Sequence, residues 1–148
     1  MSGSLHGTLE TILVVDNDKA VRTTVVNILE RANYHVLSAD SADGALRLTE
    51  ETDGTIDMLL CAVDMPQMSG PDLGERLKKT RRGMHVMLMA GGSTGNLLVL
   101  NYGWAYIQKA LVPVKLVEMV TYVLSSRNRS QLGGQEFDSR KDFPYKTS

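Results

Sequence analysis

The chain has 148 residues, with 16 Lys and Arg against 17 Asp and Glu and a formal net charge of −1. That length suits one domain with loose ends, and it buries a core without disulfides or a structural metal. The balanced charge excludes nucleic-acid binding by bulk electrostatics, and the single cysteine, Cys61, excludes a disulfide framework and a cysteine-based zinc site.

Residues 1–10 read as a flexible lead-in, rich in Ser and Gly and without periodicity. They carry no charged-then-apolar leader pattern, and no apolar run in the chain reaches the roughly 18 residues of a membrane span. A cytoplasmic protein with no membrane or nucleic-acid partner is expected. Thr11 to Val15 (TILVV) is a short, β-branched run of the buried parallel-strand type. Asp16-Asn17-Asp18 ends it. From Lys19 to Ala32, Val21, Val25, Ile28 and Leu29 recur at helix spacing. Tyr34 to Ala39 reads as a second strand and Ser41 to Thr49 as a second helix.

Asp57 to Val63 (DMLLCAV) is nearly continuous in apolar character, which places it at the centre of a sheet. The loop Met65-Pro66-Gln67-Met68-Ser69-Gly70 leads to a helix over Pro71 to Lys79, with proline in its first turn. His85 to Ala90 is a fourth strand, followed by Gly91-Gly92-Ser93-Thr94-Gly95. That loop is not a phosphate-binding P-loop, because no Gly-Lys-Ser/Thr follows. A helix over Asn96 to Tyr102, a strand over Ala105 to Gln108 and a helix over Val114 to Leu124 complete the series. From residue 126 to 148 the periodicity ends, and the segment reads as a tail or linker. Its Gly133-Gly134-Gln135-Glu136-Phe137 is similar to the diguanylate cyclase signature, without the surrounding residues such a domain needs.

Five strands alternating with five helices predict an α/β sandwich around a parallel sheet. Functional groups in such sheets gather at the carboxyl ends of the strands. Those ends are Asp16 to Asp18, Ala62 to Asp64, Ala90 to Gly92 and Lys109 to Leu111.

Taken together, Ile12-Leu13-Val14-Val15-Asp16, Asp64-Met65-Pro66-Gln67-Met68-Ser69-Gly70 and Tyr106-Ile107-Gln108-Lys109 resemble the receiver domain of two-component response regulators. The resemblance covers residues 11–125. It implies a flavodoxin-like three-layer sandwich with a five-stranded parallel sheet of order 2-1-3-4-5. It also implies phosphoryl transfer from a histidine kinase to an aspartate, magnesium as cofactor, and partners that are a kinase or a downstream signalling protein. The acceptor implied by the resemblance stands four residues before Pro66, and that residue is Ala62. Asn17 stands where the family has the second of two adjacent acids after Asp16. Ala90 replaces the switch Ser or Thr at the end of the fourth strand. Lys109 is kept, but Ala110 and Leu111 replace the proline and aromatic residue that usually follow it.

Alanine accepts no phosphoryl group. Magnesium needs an oxygen shell with carboxylates, so Asp16 with Asp64 is expected to bind it weakly at best. Asp18 reads as a helix N-cap. Fewer acids and a more apolar lining around Lys109 would favour a neutral, nucleophilic amine; the alternative is a lysine still paired with Asp16. Cys61, one residue before Ala62, is expected to face the other side of the sheet as a small buried hydrophobe. His85, at the amino end of its strand, is not expected to form a dyad with it. Tyr106 serves either as a switch reporter or as plain packing. Three readings follow. The first is a receiver domain silent toward aspartyl phosphorylation that signals through the face of its fourth helix, fifth strand and fifth helix. The second is a receiver scaffold with an engineered apolar pocket in which Lys109 is an amine catalyst or anchors a small carbonyl ligand. The third is a natural pseudo-receiver working without phosphorylation.

Overall fold

The computed structural model describes residues 9–91, 103–109 and 111–125. Nine elements follow in chain order among them: β1 (Thr11–Val15), α1 (Lys19–Arg31), β2 (His35–Ala39), α2 (Ala42–Glu51), β3 (Met58–Ala62), α3 (Gly70–Lys78), β4 (His85–Ala90), β5 (Ala105–Gln108) and α4 (Pro113–Ser125). The strands form one parallel sheet of order β2-β1-β3-β4-β5, as the flavodoxin-like resemblance implies. The expected helix over 96–102, the loop at 92–95, Ala110 and the 126–148 tail lie outside the described residues. None of the described helices is long and apolar enough to cross a membrane.

The alternation of strand side chains splits the core in two. Ile12, Val14, Met58, Leu60, Met87, Met89 and Ile107 pack beneath α1 and α4, against Val25, Leu29, Leu116 and Val120. Leu13, Val15, Leu59, Cys61 and Leu88 pack beneath α2 and α3, against Ala45, Leu73 and Leu77. Every residue of β3 is fully buried, because β3 lies between two strands and two helix layers.

Helix starts follow the sequence signals. Asp18 accepts from the Ala20 and Val21 amides, Ser41 from that of Gly44, and Ser69 from that of Asp72. Helix ends depend on more distant groups. β2 begins at His35 rather than Tyr34, because the Tyr34 amide still donates to the Leu29 carbonyl at 3.1 Å and Asn33 turns the chain at φ +73°. α2 runs to Glu51, two residues past its expected end. Arg81 satisfies the carbonyls there, donating to Thr49, Thr52 and Gly54 at 3.0, 2.8 and 3.0 Å.

Candidate functional site

The carboxyl ends of β1, β3, β4 and β5 lie side by side, and the site grows from Asp16 at the first of them. Apolar β1 drives its last residues into the core, and Asp16 is carried in with them, fully buried. A buried carboxylate needs partners. Its Oδ1 accepts from the Asp18 amide at 2.9 Å, an Asx turn that sets up the cap of α1. The Lys109 ammonium lies 3.0 Å from Oδ2 and 3.4 Å from Oδ1. Arg22, on α1, donates to the Asp16 main-chain carbonyl at 2.6 Å and ties the helix to the strand end. Nothing in the sequence spacing marks Arg22 for this role.

Lys109 follows β5 directly. Its amide donates to the Ala90 carbonyl at 3.1 Å, which fixes where its side chain starts, and the side chain is 31% exposed. Ala62 ends β3, paired with Met89 and fully buried. Ala90 ends β4, buried and opposite Gln108. Asn17, Asp18 and Asp64 are exposed. Tyr106 and Trp104 are partly buried against the core beneath α2 and α3. Leu111 packs against the core beneath α1 and α4. The fold therefore brings Asp16 and Lys109 into contact and sets Ala62 and Ala90 at neighbouring strand ends.

The loop after β3 is closely held. The Val63 amide donates to Met89 at 3.0 Å, and the Met68 amide to Pro66 at 2.8 Å. The second bond closes a γ-turn around Gln67 at φ +73°. The Gly70 amide returns to the Val63 carbonyl at 2.9 Å. A Cβ at Gly70 would run into the Ala62 carbonyl, so α3 can start this close to the strand end only with glycine there.

Cys61 lies on the α2 and α3 face, its Sγ 3.6 Å from the Gly70 carbonyl. It pairs with Leu88, whereas His85 pairs with Met58 at the other end of the strands, so the two form no dyad. Burial first, and the Asp16 charge second, push the thiol well above its ordinary value of 9.0. Above that value the unfolded thiol ionises while the native one keeps its proton, so the native state binds more protons and stability falls as pH rises. Denaturant titrations between pH 8 and 10.5 should show an extra loss in the natural chain of about 1.4 kcal/mol per pH unit above ~9, relative to Cys61→Ala. Parallel pH dependences would refute the burial argument.

The family implied by the sequence uses magnesium, and the donors here do not fit it. Among the described residues, no three carboxylate, imidazole or thiol side chains come together. The Ala62 side chain supplies no oxygen. The buried Asp16 carboxylate already faces the Lys109 ammonium and the Asp18 amide. A hard divalent ion would have to compete with that ammonium using few carboxylates.

A doubly wound parallel sheet with its polar groups at the strand ends defines a flavodoxin-like protein. The chain matches the response regulator receiver domain family over residues 12–121, and it belongs to that family. Among curated proteins, it is 36% identical over 81 residues to the sensor kinase CckA of Brucella abortus, covering 55% of this chain and 9% of that one. It is 37% identical over 84 residues to the DNA-binding transcriptional regulator NtrC of Rhizobium meliloti, covering 57% of this chain and 17% of that protein. The chain thus spans a small part of these relatives. Among solved structures, a CheY-like receiver domain protein from Methanospirillum hungatei superimposes with a TM-score of 0.73 at 30% identity, over 83% of this chain and 99% of that one. The receiver domain of the hybrid histidine kinase CckA gives 0.61 at 31% identity, over 77% and 98%.

Proposed function

We propose that this receiver domain signals by protein–protein contact without aspartyl phosphorylation, in the cytoplasm, with residues 11–125 as the working unit. The observation that carries the reading is the buried Ala62 methyl at the end of β3, where the family resemblance expects the acceptor carboxylate. The Lys109–Asp16 pair supports it too: it holds the strand ends together without a phosphoryl group. The partner is a histidine kinase or a downstream signalling protein, docked over β5 and α4. Magnesium binding is weak or absent. The same ion pair weighs against Lys109 as an amine nucleophile, because attack on a carbonyl would first have to break the 3.0 Å contact.

Incubation with a phosphoramidate donor and excess magnesium, read by intact mass, tests the reading. The natural chain should gain no phosphoryl group, whereas an Ala62→Asp, Asn17→Asp double variant should gain one. Phosphorylation of the natural chain, at Asp64 or elsewhere, would overturn it. Borohydride trapping with small ketones should label Lys109 no faster than the exposed lysines; preferential labelling would restore the amine-catalyst reading.

A further inference from the structure

The opposite pole of the sheet carries a second polar feature. A groove of about 710 Å³ opens between the turn from α2 to β3 and the turn from α3 to β4. Its wall holds Lys78, Arg81 and Arg82 against one carboxylate, Asp53, with Ile56 and Met84 as apolar lining. The volume lies in the range of small-ligand sites.

Two of these cations are fixed in place. Arg81 is held by the Thr49, Thr52 and Gly54 carbonyls, at the end of α2 and in the turn beyond it. Lys78 donates to the Met84 carbonyl at 2.9 Å. Its ammonium is partly buried, and that burial lowers its pKa, so an anion beside it would offset a desolvation cost already present. Cations at helix C-termini often do no more than cap carbonyls. That accounts for part of what Arg81 and Lys78 do, but carbonyls carry only partial charge and leave the groove with three formal positive charges against one negative. Arg82 stands exposed on the rim, where capping does not explain it. Cations fixed beforehand lose little freedom on binding, and guanidinium groups match phosphate oxygens in pairs.

We propose that this groove binds a phosphate-bearing anion, with Lys78 and Arg81 as the fixed contacts and Arg82 as the closing one. The inference does not depend on how the Ala62 end of the sheet works.

The test titrates the full chain with inorganic triphosphate, ATP and adenosine, without divalent metal, by calorimetry and by amide NMR shifts. Both phosphates should bind, adenosine should not, and the shifts should centre on residues 53–56 and 78–84. Arg82→Glu, an exposed site that leaves the fold intact, should weaken binding about tenfold or more, as loss of a charge-assisted bond predicts. Lys78→Met should weaken it to a similar degree. Tighter binding of ATP than of triphosphate identifies a nucleotide ligand; equal binding identifies the phosphate chain itself. No binding at millimolar ligand, affinity unchanged in Arg82→Glu, or shifts centred on Lys109 would each overturn the proposal.

Discussion

Lys109→Met should destabilise the protein by about 2–4 kcal/mol, and Asp16→Asn by less. The asymmetry comes from burial. Asp16 is fully buried, whereas the Lys109 side chain is 31% exposed. Removing the lysine leaves an ionised carboxylate inside the protein with the Asp18 amide as its main donor. Removing the carboxylate leaves an ammonium that can turn toward water, and the new amide still accepts from Asp18. The double variant Asp16→Asn, Lys109→Met should therefore be more stable than Lys109→Met alone. A coupling energy of about 1–3 kcal/mol follows for groups in direct contact. Guanidinium titrations with unchanged slopes would measure it. Equal single costs would refute the burial asymmetry, and additive ones would mean that the pair contributes little and that something else holds the strand ends.

Gly70→Ala should cost about 3–5 kcal/mol, close to the limit for a single substitution. Its methyl meets main chain, the Ala62 carbonyl, and the Cys61 sulfur lies 3.2 Å away on the same side. The carbonyl cannot move without shifting β3, which is buried along its whole length. Gly74→Ala offers the contrast. There the methyl meets the Trp104 ring at 3.0 Å, a side chain that can tilt, and the expected cost is about 1–2 kcal/mol. At Gly54 and Gly83 a methyl meets nothing within 4 Å, so alanine there should be nearly neutral. Thermal unfolding of the four variants should rank them in that order. A mild Gly70→Ala would show that α3 does not need its close approach to the strand end.

Both results bear on function. In the family, as the resemblance implies, phosphoryl transfer to the acceptor is followed by a switch Ser or Thr at the end of the fourth strand. In this chain the Lys109–Asp16 pair and the tight loop from Ala62 to Gly70 hold the strand ends. That supports a domain held in one arrangement and recognised by its surface.

Much of this was legible from residue order. The run from Ile12 to Val15 reads as a buried strand because each of its side chains is apolar, and burial of both sheet faces requires that. Asp18, Ser41 and Ser69 mark helix starts because an N-cap is a contact between near neighbours. The absence of a side-chain acceptor at Ala62 is a fact of composition at one position. The alternation of elements implied a parallel sheet, the family resemblance alone implied its strand order, and the sheet agrees with both.

The remaining features arise between residues far apart in the chain. The choice between a paired and a free Lys109 could not be made from spacing, since Asp16 lies 93 positions away. The length of α2 depends on Arg81, which reaches back 27 to 32 positions to cap it. Arg22 reads as an ordinary helix residue until the Asp16 carbonyl is beside it. Local pattern and capping are short-range and periodic, so the sequence by itself determined the elements and their faces, and put a residue without a side-chain oxygen at position 62. Ion pairing, carbonyl capping at a distance and the close approach at Gly70 depend on which chain segments the sheet brings together, and only the tertiary structure decided those.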